Sequence, residues 1–206
     1  MILKILSLLL RYPDDEILSS RKEIARAARG LPPSEAKDRV LRFLEGWLRS
    51  SPEELRSGYV ETFDFRGKNC LYLTYFRFGD QRVRGQALAE LKELYGRAGY
   101  TLATPELPDY LPLVLEFADA RPDLGLPLVA GYRSALEVIR KALGQAGSPY
   151  ALLVEALICL LPEVGEEDLE EARRLIAHGP PRETVGLEPY GPEMPPPQKI
   201  EYGRSR

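Results

Sequence analysis

Reactive side chains are few. The chain of 206 residues holds one histidine, His178, and two cysteines, Cys70 and Cys159. A single imidazole provides neither a His-rich metal site nor a Ser–His triad elsewhere in the chain. The cysteines are too far apart in sequence for a CxxC redox pair or a zinc ligand set, and each lies in an apolar stretch. They are expected to be small buried hydrophobes in a reducing, cytoplasmic setting. His178 follows the last predicted helix, a position that the helix dipole favours without any catalysis. None of the phosphate-loop, dinucleotide or nucleophile-elbow patterns occurs. No catalytic residue, metal or cofactor is expected, and these absences point to a binding protein.

The candidates for binding are carboxylates beside apolar helices. The stretch Glu106-Leu107-Pro108-Asp109-Tyr110-Leu111-Pro112 sets two acids and two prolines at the start of a predicted helix, Tyr110 to Ala120. Asp109 is expected to cap that helix, and proline is tolerated in a first turn. Glu116 is the one charge before the last turn of this helix, and Glu155 is the one charge between Pro149 and Leu161. A helix that is apolar on nearly every face belongs in a core. Its carboxylate must reach solvent, find a cation or line a groove for a positively charged guest. An acidic rim beside an apolar wall would suit an amphipathic basic peptide. Aromatic residues cluster upstream: Tyr59 and Phe63 fall at i and i+4, followed by Tyr72, Tyr75 and Phe76. Arg84, in Gly79-Asp-Gln-Arg-Val-Arg-Gly85, is expected to reach one of these carboxylates.

The elements that carry these residues are helical. Met1 to Tyr12 is apolar and stops before Pro13. Asp14 caps a second helix that Gly30 closes, and Ser34 opens a third with Val40, Leu41, Leu44, Trp47 and Leu48 at helical spacing. Ser51-Pro52-Glu53-Glu54 is a capping box. Asp80 is expected to cap Gln81 to Ala98, with a stripe of Ala87, Leu88, Leu91, Leu94, Tyr95 and Ala98. Further helices are predicted over Leu128–Leu143, Pro149–Leu161 and Glu167–Ala177. Cys70 to Phe78 has strand-like composition, but a lone strand has no partner in such a chain, so a helix is predicted there as well. The fold class is all-α: one helical domain over residues 1–177, about eight to ten helices, then a tail over 178–206. That tail carries seven prolines and four glycines, which suits an extended or disordered segment.

Composition removes other classes. A formal net charge of −3 without a basic stripe argues against nucleic acid. The apolar start, Ile5 to Leu10, is shorter than a signal-peptide core and lacks a cleavage site. No segment approaches the ~20 apolar residues that span a bilayer.

Several motifs, in order, resemble a known family. Tyr59-Val-x-x-Phe-Asp64, then Gly79-Asp-x-Arg-x-Arg-Gly-Gln-Ala-Leu88, then Tyr95 with Gly99, then Glu106 to Glu116 resemble the NarJ-type nitrate reductase assembly chaperones. These belong to the TorD/DmsD/NarJ family of redox-enzyme maturation chaperones. The strongest similarity runs from about Tyr59 to Phe117. The family's acidic motif often ends in histidine where this chain has Tyr110. The resemblance implies a TorD-like all-helical fold and a cytoplasmic chaperone, not an enzyme. Its partner would be the apo α (catalytic) subunit of nitrate reductase, held through the N-terminal peptide while molybdenum cofactor is inserted. On that basis Tyr59, Phe63, Tyr75 and Leu111 are expected to form an apolar wall, with Arg84 and Tyr110 beside it. Glu106, Asp109 and Glu116 would hold the peptide's Arg or Lys side chains. The alternatives are a chaperone for another molybdenum enzyme, such as a dimethyl sulfoxide or trimethylamine N-oxide reductase, and a helical scaffold without a peptide groove.

Overall fold

Local capping chemistry starts several helices where the side chains predict. The Asp14 carboxylate accepts the Ile17 amide at 2.9 Å, and the Ser34 hydroxyl accepts the Lys37 amide at 3.2 Å. Ser51 and Glu54 close a reciprocal box, with the Ser51 amide donating to Glu54 Oε2 at 2.7 Å and the Glu54 amide to Ser51 Oγ at 3.2 Å. This computed structural model describes residues 1–63, 69–103, 105–162, 170 and 174. The boundary expected at 177/178, His178 and the Pro-rich tail lie outside the described residues, as does most of the helix expected over Glu167–Ala177.

Eleven helices and no strand occur among the described residues. They are α1 (Ile2–Leu10), α2 (Asp15–Ser19), α3 (Arg21–Arg29), α4 (Glu35–Trp47), α5 (Pro52–Phe63) and α6 (Leu73–Phe78). After these come α7 (Arg82–Arg97), α8 (Leu111–Ala120), α9 (Pro122–Ala130), α10 (Arg133–Gln145) and α11 (Ala151–Ile158). The apolar helices α8 and α11 lie at the centre as predicted: α1 and α9 pack on α8, while α4 and α10 pack on α11. Leu6, Leu10, Leu111, Leu115, Leu136, Leu153 and Leu157 are all fully buried there. Each such side chain contributes about 1.5–3 kcal/mol relative to exposure. Gly125 of α9 crosses so close to α8 that a Cβ on it would lie 2.3 Å from the Ala118 Cα.

Five local expectations need correction. The helix expected from Asp14 to Gly30 is two, because Ser20 (φ −84°, ψ 2°) ends α2 and begins α3. The helix expected over Leu128–Leu143 is broken at Gly131–Tyr132, where Tyr132 (φ −109°, ψ 23°) leaves helical geometry between α9 and α10. Cys70 to Tyr72 is extended, and only Leu73–Phe78 is helical. Asp80 does not cap α7, whose N-cap is Gln81 with no side-chain bond. Cys159, the C-cap of α11, is exposed rather than buried. The predicted stripe of α7 does turn inward, with Leu91 and Tyr95 buried.

Candidate functional site

The Glu106–Pro112 corner is held by backbone bonds that helical reasoning did not foresee. The Leu73 amide donates to the Asp109 carbonyl at 3.1 Å, and the Leu111 amide to the Leu71 carbonyl at 2.8 Å. Together they make an isolated antiparallel bridge between Tyr72 and Tyr110. The extended Cys70–Tyr72 segment therefore does have a partner, namely the residues just before α8.

Asp109 works within that bridge, and not as the cap of α8. Its side chain is 0% exposed. Oδ2 accepts the Thr74 amide at 3.0 Å and the Thr74 hydroxyl at 2.5 Å, so Asp109 caps the N-terminus of α6 from a distant part of the chain. Arg84 of α7 completes the group. Its Nη2 lies 3.7 Å from the same carboxylate oxygen, and its Nε donates to Thr74 Oγ1 at 3.1 Å. Its guanidinium also sits 5.7 Å from the centre of the Tyr75 ring. One buried carboxylate thus ties α6, α7 and the entry to α8 together. Asp109 Oδ1 is buried and accepts no hydrogen bond among the described residues.

A run of tyrosines fastens the rest of the corner. The Tyr95 hydroxyl donates to the Pro108 carbonyl at 2.8 Å, and the Tyr72 hydroxyl to Glu106 at 3.0 Å. Tyr59 donates to the Leu10 carbonyl at 3.0 Å and shares a 3.0 Å hydrogen bond with the Tyr110 hydroxyl. Burial, reinforced by Glu106, pushes the Tyr72 phenol up, and burial does the same to Tyr95 and Tyr150. All three stay neutral across the physiological range, so Tyr72 and Tyr95 keep their donor protons.

Two adjoining depressions run along the outer side of α8. One, of about 330 Å³, lies between the end of α1 and the start of α8, and is bordered by Arg11, Tyr12, Asp14, Glu106, Tyr110 and Glu116. The other, of about 420 Å³, is mostly apolar and is bordered by Tyr95, Tyr100, Leu102 and Phe117. Leu113 and Glu116 border both, so the two depressions adjoin at these side chains. Glu116 pairs with Lys4 of α1, and Arg11 lies 3.6 Å from Asp14 and 3.8 Å from Glu16. Among the described residues Asp14, Glu106 and Glu116 thus border the first depression with Arg11, and Lys4 reaches Glu116 from its edge. Glu155, the other carboxylate on an apolar helix, lies 3.6 Å from Arg39.

Of the residues singled out from sequence, Glu106, Tyr110 and Glu116 come together at this cleft. Arg84 and Tyr75 meet each other next to Asp109, and Arg84 reaches a carboxylate as expected. Tyr59 and Phe63 stack at 4.7 Å, but with Leu111 they are buried in the core rather than exposed as a wall. Asp109 is likewise inside, already engaged by Thr74 and Arg84, and not on an acidic rim. The sequence reading missed Arg11, Tyr12, Leu113 and Tyr100. Tyr12 and Tyr100 are the legible ones, being large aromatics next to a proline and a glycine at helix ends, where side chains stay exposed. Among the described residues no group of three His, Cys, Asp or Glu side chains could hold a metal, and no helix is long and apolar enough to cross a membrane.

Comparison with known proteins agrees with this architecture. A solved structure described as a redox enzyme maturation protein from Archaeoglobus fulgidus superposes with a TM-score of 0.57 at 24% identity, covering 76% of this chain and 89% of that one. At that identity the likeness concerns the fold. The sequence is 36% identical over 167 residues to a Bacillus subtilis (strain 168) protein named "probable nitrate reductase molybdenum cofactor assembly chaperone NarJ", covering 81% of this chain and 91% of that protein. It is 32% identical over 184 residues to the nitrate reductase molybdenum cofactor assembly chaperone NarJ of Escherichia coli (strain K12), covering 83% of this chain and 76% of that one. The family model for the nitrate reductase delta subunit matches residues 32–154, from just before α4 through the first half of α11. By these matches the chain belongs to the nitrate reductase delta subunit family, that of the nitrate reductase molybdenum cofactor assembly chaperones.

Proposed function

We propose that this protein is a cytoplasmic chaperone that binds the N-terminal peptide of the apo α subunit of nitrate reductase and assists molybdenum cofactor insertion without catalysis of its own. The observation that carries this reading is the pair of adjoining depressions along α8, one bordered by Asp14, Glu106 and Glu116 and the other mostly apolar. A basic, amphipathic peptide is its complement. Glu106, Glu116 and Asp14 would receive Arg or Lys side chains, while Leu113, Tyr100 and Phe117 would take apolar ones. Tyr59, Phe63, Tyr75, Arg84, Asp109, Tyr110 and Leu111 then act mostly from behind, by fixing the corner on which Glu106 stands.

Apolar anchors give about 1.5–3 kcal/mol each, from which the ordering cost of the peptide is subtracted. The outcome is a reversible complex, as release of a matured client demands. The test is calorimetric titration of the full chain with the α-subunit N-terminal peptide, with a scrambled peptide as control. Saturable binding of the native peptide alone is expected. Glu106→Ala with Glu116→Ala removes two rim contacts of roughly 0.5–1 kcal/mol each, so affinity falls about tenfold. Equal heat from the scrambled peptide, or unchanged affinity in the double variant, overturns the assignment.

A further inference from the structure

The consecutive helices α4 and α5 leave a cavity between them. It measures about 370 Å³ and is bordered on a third side by the turn over residues 146–150 that leads into α11. It shares no lining residue with the depressions along α8. Two helical glycines keep it open. Gly46 of α4 and Gly58 of α5 both line it, and a Cβ on either would meet nothing within 4 Å. Neither has a positive φ, so no turn requires glycine there. Glycine inside a helix is less stable than alanine, and here neither backbone conformation nor close packing accounts for it.

The floor of the cavity is apolar and fixed. Phe43, Trp47, Leu55 and Tyr150 are all buried, and the Phe43 ring lies 6.5 Å from Trp47 and 5.2 Å from Tyr150. The exposed part of the lining carries opposite charges that do not meet. Arg42 stands on α4 and Glu61 on α5, and among the described residues neither side chain has an ion pair or a hydrogen bond. The Ser148 hydroxyl, also on the lining, is buried without a hydrogen-bond partner, and buried hydroxyls are rarely left so.

These groups select the class of ligand. A phosphate ester does not suit a lining that, among the described residues, holds one guanidinium against the carboxylates of Glu54 and Glu61. A peptide end brings only one of the two charges that Arg42 and Glu61 complement. A free amino acid brings both. We infer that this cavity binds a zwitterionic amino acid with an aromatic or branched apolar side chain. Arg42 and the Ser148 hydroxyl receive its carboxylate, Glu61 its ammonium, and the floor around Phe43 and Tyr150 its side chain. The inference stands apart from the peptide-binding reading above, since the two sites have no residue in common.

Trp47, the one tryptophan, lines the cavity, so its fluorescence reports occupancy in the full chain, with calorimetry as the second readout. L-Phenylalanine and L-leucine are the probes, and N-acetylphenylalanine and phenylalaninamide each lack one charge. Saturable binding of at least one free amino acid is expected, with both capped forms about tenfold weaker than L-phenylalanine. Arg42→Gln is expected to weaken L-phenylalanine about tenfold and leave phenylalaninamide unchanged, whereas Glu61→Gln does the same to L-phenylalanine and spares N-acetylphenylalanine. The Gly46→Ala, Gly58→Ala double variant is expected to melt at a higher temperature and to bind the probes more weakly. Binding of neither amino acid by either readout overturns the inference. So does unchanged affinity in the glycine double variant, which would put the probe elsewhere. A capped form that binds as well as L-phenylalanine also overturns it, and would make a peptide end the occupant.

Discussion

Replacing Asp109 with alanine is the perturbation that best separates a structural carboxylate from a recognition carboxylate. The side chain is 0% exposed, accepts two hydrogen bonds from Thr74 and lies 3.7 Å from Arg84. Alanine leaves the Thr74 amide and hydroxyl without their acceptor and the largely buried Arg84 without its counter-charge. Removing one partner of such a pair costs about 3–5 kcal/mol, a large share of the ~5–15 kcal/mol that holds a domain folded. In a chain of this length the melting temperature falls by roughly 10 °C. Asp109→Asn keeps an acceptor for Thr74 but puts an amide NH2 where Oδ1 already lacks a partner, so about 1–3 kcal/mol is expected. Urea unfolding followed through Trp47, the one tryptophan and 4% exposed, gives the free energy directly. An Asp109→Ala loss below 1 kcal/mol would refute the reasoning, and would mean that this carboxylate is not what joins α6, α7 and α8. An Asp109→Ala, Arg84→Ala cycle with no coupling would refute the ion-pair part alone.

Other consequences can be measured on the same protein. Gly125→Ala pushes a Cβ to 2.3 Å from the Ala118 Cα, so α8 and α9 must separate; a loss of at least about 1–3 kcal/mol is expected in the same unfolding assay, and a neutral result would refute the close crossing. Burial pushes the Cys70 thiol up to about 11, whereas Cys159 is exposed, so a thiol reagent at pH 8 is expected to modify Cys159 first and Cys70 only on unfolding. The same shift sets a pH dependence: above about pH 9 the unfolded chain loses the Cys70 proton that the folded chain keeps until about 11. Stability therefore falls between these values, and a Cys70→Ala variant is expected to lose that part of the slope. Tyr95→Phe removes the hydroxyl that donates to the Pro108 carbonyl, for an expected cost of about 1–2 kcal/mol by urea unfolding.

What could be read from sequence was what depends on near neighbours. Asp14, Ser34 and the Ser51–Glu54 box each bond an amide three residues away, so their chemistry is visible in a short window. The apolar helices α8 and α11 announced a core because almost no polar side chain interrupts them. Asp109 has the same composition signal as those caps but a different fate, since its amide partner lies 35 residues earlier. The same distance hides the extended stretch at Cys70–Tyr72, whose partner is the entry to α8. The α9–α10 break escaped because proline and glycine inside α9 obscure its period, and because Gly125 is set by contact with Ala118 rather than by a turn. Glu106 and Glu116 were recognisable as carboxylates beside apolar surface. The opposite side of their cleft, at the end of α1, was legible only at Tyr12, because Arg11 looks like an ordinary helix end.

The bridge between Tyr72 and Tyr110 has a kinetic consequence. It pins residues 73–109 at their base, and α7 lies within that loop. Of the sixteen residues of α7 only Leu91 and Tyr95 are buried, and both lie outside the main core cluster. Detachment of α7 exposes those two side chains and breaks the Arg84–Asp109 and Tyr95–Pro108 contacts, while the bridge at the base of the loop can hold. Deuterium would enter the α7 amides through such partial openings, at free energies well below that of complete unfolding. The amides of Leu73, Thr74 and Leu111, which close the base, would exchange only when the whole helical core comes apart.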